Sequence, residues 1–219
     1  MIKIIDSLCL TANGPCVYNR GYQPILKTQG NLDGACLAYS CMMVLEILNI
    51  VSERQLRDLE NRVPKSPQIE KLFNEFFVKR GLIREGLFLS DVGKKVENIF
   101  KNKLRSTYLS ISEKLSPNNL IEEIKNTLDN NLPVILGINY QTGGGHAVVA
   151  IGYEFDQEGM YNIFCLDPGF GRNRTSYWNM VISLDIYRRN KIYKHEYFSN
   201  DPDYHHAISI QDILIIEKV

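Results

Sequence analysis

The chain has 219 residues, its 25 lysines and arginines balance 25 aspartates and glutamates, and 44% of its residues are hydrophobic. This length and composition predict one globular domain over residues 1–219 rather than a disordered chain. Zero net charge argues against a large basic surface for nucleic acid. No apolar run approaches the roughly 20 residues that span a bilayer. Residues 1–7 are too short and too polar for a secretory signal, so we expect a cytoplasmic protein or one exported without a Sec signal.

The cysteine content predicts neither a disulfide scaffold nor a metal site. An odd number of cysteines at low density is not the pattern of a disulfide-stabilised domain. No Cys-x-x-Cys pair occurs, and the adjacent His205 and His206 cannot easily converge on one ion from an extended segment. We therefore expect no metal and no cofactor. The five cysteines are Cys9, Cys16, Cys36, Cys41 and Cys165.

The N-terminal part of the chain changes character at residue 35. Residues 1–35 are rich in Gly, Pro, Asn and Gln, which predicts irregular structure with one short first strand. Residues 35–49 are almost uniformly apolar, which is typical of a helix that is buried on all sides. Asp33 and Gly34 supply a turn at the entry to this helix.

Surface helices are predicted for the middle of the chain. Residues 52–105 carry charged and apolar side chains at helical spacing, which indicates two or three amphipathic helices, broken near residues 64–67 and at Gly81. Residues 116–130 begin with Ser-Pro, a pair that favours a helix start, and end with two asparagines. We expect a further helix there.

The second half of the chain predicts strands. Short apolar or alternating runs bounded by glycine, proline and asparagine are the expected signal. Such runs occur at residues 133–139, 146–154, 160–166, 192–198 and 208–217. A helical first half followed by an antiparallel sheet is an α+β arrangement.

A cysteine at the start of the predicted buried helix is a good position for a nucleophile. The positive end of the helix dipole favours the thiolate form of Cys36. The small residues Gly34 and Ala35 before it would let a substrate backbone approach. Position alone leaves a structural thiol in a core helix as the alternative interpretation.

Two further residues complete a candidate triad. His146 follows three glycines at the start of a predicted strand, and Asp167 ends the next predicted strand, before Pro168. Because adjacent antiparallel strands bring the start of one beside the end of the next, Asp167 can reach the far ring nitrogen of His146. A base oriented by a third group is what a Cys–His nucleophile needs. Taken singly, the alternatives are an exposed histidine and an ordinary Asp-Pro turn.

Three segments together resemble the papain-like cysteine peptidases, in particular the bacteriocin-processing (C39-like) branch. They are residues 29–38, 145–153 and 166–169, which read QGNLDGACLA, GHAVVAIGY and LDPG. In that branch a Gln precedes a helix-initiating Cys, a Gly-His pair opens an apolar strand, and Asp-Pro closes the triad. The resemblance covers about half of the chain, residues 29–48 and 132–169.

The resemblance implies a papain-like α+β fold in which the nucleophile lies at a helix N-terminus packed on an antiparallel sheet. It also implies Cys36 as nucleophile, His146 as base, Asp167 as the residue that orients the base, and Gln29 as donor to the oxyanion. Gln29 lies seven residues before Cys36, one more than is usual in the family. Asn31 is therefore the alternative donor.

The function implied by the resemblance is cleavage of a peptide or isopeptide bond through a thioester, with a peptide or protein as substrate. An immunity or maturation protein is a further expected partner, and neither nucleic acid nor membrane is. Free-standing members are similar to bacterial toxins and effectors, so a glutamine deamidase or acyltransferase with the same triad is an alternative. A catalytically silent binding module is an alternative of another class. Residues 50–110 and 175–219 match no known pattern.

Overall fold

A computed structural model describes residues 1–29, 34–57, 66–78, 87–113, 115–184, 192–201 and 203–219. The strands in these ranges are β1 (Ile2–Ile4), β2 (Leu8–Thr11), β3 (Gly14–Tyr18), β4 (Tyr22–Pro24), β5 (Leu104–Ser110), β6 (Val134–Tyr140), β7 (Gly145–Phe155), β8 (Met160–Leu166), β9 (Met180–Ser183), β10 (His195–Ser199) and β11 (His205–Lys218). The helices are α1 (Cys36–Ile47), α2 (Glu53–Arg57), α3 (Pro67–Phe73), α4 (Leu89–Ile99) and α5 (Pro117–Asp129). One π-helical turn, Asn74–Val78, continues α3, and a short 3₁₀ turn, Ile111–Glu113, follows β5.

The main sheet is antiparallel and closes on itself as a barrel. Its strands pair in the order β6, β7, β8, β9, β10 and β11, and β11 returns to pair with β6. Two strands extend the barrel, since β1 pairs with β7 and β5 pairs with β11. The strands β2, β3 and β4 form a separate small antiparallel sheet. Closure removes the exposed edges that an open sheet would leave.

Glycines are required in the turn before strand β7 and at one position within this strand. Gly143 and Gly144 have φ angles of +97° and +89° in the turn before this strand, a conformation that residues with a Cβ rarely adopt. At Gly152, a Cβ would lie 2.3 Å from the carbonyl oxygen of Lys3. The pairing of β1 with β7 therefore depends on the absence of a side chain at residue 152.

Helix α1 is buried on nearly all sides, as its apolar sequence predicts. All its residues from Leu37 to Ile47 are buried except Tyr39, and the helix packs against β6 and β7. Full burial of each large aliphatic side chain contributes roughly 1.5–3 kcal/mol. The hydroxyl of Ser40 donates to the carbonyl of Ala147 at 3.1 Å, which ties the helix to β7 one residue after His146.

The predicted surface helices are also present. Helices α2, α3 and α4 lie within residues 52–105, and the predicted break at Gly81 lies outside the described residues. Helix α5 begins as predicted, because the Ser116 hydroxyl accepts from the backbone N–H of Asn119 at 3.1 Å and proline occupies the first turn. None of the helices in the described ranges is long and apolar enough to cross a bilayer.

The α+β class is confirmed, but several strands were not expected. Residues 1–35 were predicted to be irregular with one short strand, whereas β1 to β4 all lie within them. The strands β5 and β9 were also not predicted. These strands are short or are flanked by turns, and pairing with residues distant in sequence stabilises them, so a local pattern is a poor guide to them.

Candidate active site

Cys36 is the first residue of helix α1, half-buried, at the point where the helix meets strand β7. Ala35 before it makes no side-chain cap, and its carbonyl accepts the first helical hydrogen bond, from the N–H of Tyr39 at 3.0 Å. Backbone N–H groups in the first turn of a helix have no partner within the helix. The N–H of Cys36 is therefore available to a group outside the helix.

His146 lies at the start of β7, directly after the glycine turn. Its Nε2 is 2.7 Å from Oδ1 of Asp167, and the side chain of Cys36 lies near enough to the ring to raise its pKa. Because Asp167 occupies Nε2, Nδ1 is the ring nitrogen left for the thiol. The structure thus brings together the three residues that the sequence singled out as a triad, in the order Cys36, His146, Asp167.

The charge state of His146 is set by its two partners. Burial alone would lower the pKa of this imidazole, since the side chain is only 10% exposed. Interactions with Asp167 and Cys36 outweigh burial and raise the pKa to about 10. These interactions favour the protonated imidazole, which is the form that a thiolate–imidazolium pair requires.

The carboxylate of Asp167 is fully buried and accepts three hydrogen bonds. Its Oδ1 accepts from Nε2 of His146 and from the N–H of Gly169 at 2.6 Å. Its Oδ2 accepts from the hydroxyl of Tyr197. Donors therefore satisfy both oxygens of this carboxylate, which fixes its plane relative to the imidazole.

Asn179 holds the backbone of Asp167 in place. Its Oδ1 accepts from the N–H of Asp167 at 2.7 Å, and its Nδ2 donates to the carbonyl of the same residue at 2.9 Å. Trp178, which could have covered the triad or filled the core, stacks flat on Phe164 with ring centroids 3.9 Å apart.

Gln29 is linked to the triad through the chain that follows Asp167. Its backbone N–H donates to the carbonyl of Pro168 at 2.8 Å. Its side-chain Oε1 is buried and has no hydrogen-bond partner among the described residues. No group in the part of the chain that the structure describes therefore engages this end of the amide. The alternative donor, Asn31, lies outside the described residues.

Sequence reasoning missed three residues of the site. Asn179 and Tyr197 contact Asp167 as described, and the ring of Tyr140 stacks on that of His146 with centroids 6.1 Å apart. Tyr140 ends β6 and Tyr197 lies in β10, and no local motif marks either position. Only the pairing of β10 with β9 and β11 brings Tyr197 to Asp167.

A cavity of about 520 Å³ lies on the side of α1 that faces residues 26–28. Its lining combines apolar side chains with charged side chains of both signs. The apolar lining includes Tyr39, one turn after Cys36, with Met42, Leu56, Phe73 and Phe77. The charged lining residues are Lys27, Arg172 and Glu53.

Comparison with known proteins gives a family match over most of the chain. A sequence profile of the Peptidase_C39-like family matches residues 27–195. No curated protein matches the chain. Among solved structures, UfSP from C. elegans is similar with a TM-score of 0.37 and 15% sequence identity. That alignment covers 100% of this chain and 34% of UfSP, so the chain spans about a third of the length of that protein.

Proposed function

The chain belongs to the Peptidase_C39-like family, within the papain-like cysteine peptidase superfamily, and we propose on that basis that it cleaves an amide bond with Cys36 as the nucleophile. The observation that carries the proposal is the placement of Cys36 beside His146, whose ring is hydrogen-bonded to the fully buried Asp167. A nucleophile, a base and a residue that orients the base are the parts that covalent amide cleavage requires. The proposed substrate is a peptide or protein.

In the first half of the reaction, the thiolate of Cys36 attacks the carbonyl carbon and the carbonyl oxygen takes up the negative charge. The imidazolium of His146 then gives its Nδ1 proton to the leaving amine as the C–N bond breaks, which leaves a thioester on Cys36 and a neutral imidazole. In the second half, His146 takes a proton from water while the hydroxide oxygen attacks the thioester. Release of the carboxylic acid restores the thiolate–imidazolium pair.

Two donors are proposed for the oxyanion of the tetrahedral intermediate. The N–H of Cys36 is one, because it is a first-turn amide without a partner in the helix. The side-chain amide of Gln29 is the other, because its Nε2 can donate and its backbone is hydrogen-bonded to Pro168, next to Asp167. Donors held in place before the reaction stabilise the developing charge without reorganisation.

The cavity beside α1 is the proposed binding site for a large apolar side chain of the substrate. Its apolar lining includes Tyr39, which lies one helical turn from Cys36. A substrate bound at Cys36 could therefore place a side chain a few residues from the scissile bond in this cavity. Apolar floors with a small number of polar groups at the margin are typical of ligand pockets.

Digestion of a proteome-derived peptide library tests the proposal. The protein and its Cys36→Ala variant are incubated with the library, and mass spectrometry identifies new peptide ends. We expect new ends in the wild-type digest that are absent from the Cys36→Ala digest. The same change is expected to leave the fold intact, because one sulfur near a cleft is lost.

The same experiment distinguishes the alternatives. Glutamine deamidation would appear as Gln-to-Glu mass changes on intact peptides, and acyl transfer would appear as new amide adducts on added amines. Either result would mean that the same triad catalyses a reaction other than peptide cleavage. A library unchanged in all three respects, together with an unreactive Cys36, would indicate a binding module.

A further inference from the structure

Two tyrosines support the triad. Tyr197 is fully buried, and its hydroxyl donates to Oδ2 of Asp167. The rings of Tyr140 and Tyr197 pack edge to face with centroids 5.7 Å apart, and the ring of Tyr140 stacks on His146. Asp167 and His146 are therefore each held by a tyrosine in addition to holding one another.

We propose that Tyr197 is a positioning residue of the site, whose hydroxyl holds the Asp167 carboxylate and stabilises the negative charge of the Cys36–His146–Asp167 group. Tyr197 lies beyond residues 27–195, which the family profile matches, so the family match does not assign it a role. The inference rests on the proposed function in one respect, that Cys36 is the nucleophile.

In the proposed resting state of the site, a thiolate, an imidazolium and a carboxylate together carry one net negative charge. A donor to that group stabilises its deprotonated form. Since the three residues interact closely, they titrate as one unit. Loss of the Tyr197 hydroxyl should therefore raise the pH at which the unit takes up a proton, whichever atom receives it.

The surroundings of Tyr197 leave few other groups that could produce such a shift. Burial, followed by the charge of Asp167, raises the pKa of both Tyr140 and Tyr197 far above the usual range, so these phenols stay neutral. His206 lies across from Tyr197 on β11 and contacts Tyr140. The other titratable groups near the contact are Cys36, His146, Cys165 and Tyr204, with His195 two positions away on β10.

Strand β7 supplies a matched control. Tyr153 is a buried tyrosine, 2% exposed, and its hydroxyl donates to Oδ1 of Asp129 at 2.5 Å. The Tyr153→Phe change removes the same kind of phenol–carboxylate hydrogen bond from the same sheet. It should therefore cost similar stability without touching the triad.

The test is the rate of Cys36 alkylation by iodoacetamide as a function of pH, followed by mass spectrometry of the Cys36 peptide. We expect Tyr197→Phe to shift the acidic part of the curve of alkylation rate against pH to a pH about one unit higher. At a given pH below the midpoint of that part, the alkylation rate of Cys36 should therefore fall about tenfold. We expect Tyr153→Phe to keep the wild-type profile. The same shift in a His206→Gln background shows that His206 is not its cause.

Each other outcome counts against the inference. A wild-type profile in Tyr197→Phe, or an equal shift in Tyr153→Phe, would overturn the positioning role while leaving the proposed function intact. An unreactive Cys36 in the wild-type protein would overturn both. If Tyr197→Phe does not fold, the same alkylation profile is measured for Tyr140→Phe. This change keeps the hydrogen bond from Tyr197 to Asp167 and removes only the hydroxyl of the neighbouring Tyr140, whose ring contacts both Tyr197 and His146. We expect a smaller upward shift there, and its absence would overturn the inference.

Discussion

Replacement of Asp167 separates a carboxylate that orients His146 from one whose charge is essential. In the Asp167→Asn variant, the amide oxygen can take the place of Oδ1, where it would still accept from His146 and from the N–H of Gly169. The amide nitrogen would then face Tyr197, whose hydroxyl can accept instead of donate. All three hydrogen bonds therefore survive, and only the charge is lost.

Of these three hydrogen bonds, the one to His146 bears on the reaction. A hydrogen bond to a charged group exceeds a neutral one by about 1–2 kcal/mol, so Asp167→Asn should lower kcat/KM by roughly 5- to 30-fold. In a serine triad this change is far more severe, because the amide selects the wrong neutral tautomer of the imidazole. In Asp167→Asn, the raising effect of Cys36 on the pKa of His146 remains, so we expect both ring nitrogens to keep their protons and no tautomer conflict to arise.

The Asp167→Ala variant should be much worse. It removes the acceptor for three donors in a fully buried position, and each unpaired buried donor costs about 1–3 kcal/mol. We expect a loss of roughly 1000-fold in kcat/KM and a clear loss of stability, and His146→Ala should be less active than either Asp167 variant.

The assay is kcat/KM on a peptide taken from the library digest, with unfolding by urea as the measure of stability. Near-equal activity for Asp167→Ala and the wild type would remove Asp167 from the site. A loss in Asp167→Asn as deep as that in Asp167→Ala would refute the reasoning from the ion pair, because it would mean that the charge itself is needed.

Four other substitutions test three separate parts of the account. Gln29→Ala should lower kcat by roughly 100- to 1000-fold with little change in KM, whereas Asn31→Ala should be far milder, and the reverse ranking would move the oxyanion donor to Asn31. Phe77→Ala should raise KM by about tenfold by removing apolar surface from the cavity while Cys36 alkylation stays unchanged, and an unchanged KM would take the cavity out of substrate binding. For Glu46, burial outweighs the nearby Lys27 and raises the pKa to about 7, so the stability that this group contributes is present at acid pH and is lost as the pH rises from about 4.5 to about 7. The free energy of unfolding of Glu46→Gln, measured with urea, should change less with pH over that window than that of the wild type. An equal change with pH in the two proteins would contradict the raised pKa of Glu46.

The candidate site could be predicted from the sequence because each triad residue lies at a locally marked point. Cys36 begins an apolar helix, His146 follows a glycine turn, and Asp167 precedes a proline after a strand. Short-range patterns of this kind are set by backbone geometry and capping, which a sequence displays directly.

The closure of the barrel and the support of the triad could not be predicted in this way. Tyr197 reaches Asp167 only because β9 and β10 complete the ring between β8 and β11, and such pairing joins residues far apart in the chain. Strands β2 to β4 were missed for a related reason, since their stability comes from partners rather than from their own alternation. Asn179 bears no pattern that distinguishes it from any polar residue in a loop.

Competitive alkylation of the five thiols at about pH 6 tests most directly that Cys36 is the nucleophile. Cys16, Cys41 and Cys165 are buried, and burial raises the pKa of the Cys41 thiol to about 12 and that of Cys165 well above its usual value. Cys9 is partly exposed, but burial and the nearby Cys16 raise its pKa as well. The account predicts that peptide mapping finds Cys36 labelled well before the other four. First labelling of Cys9, or of any buried thiol, would contradict it.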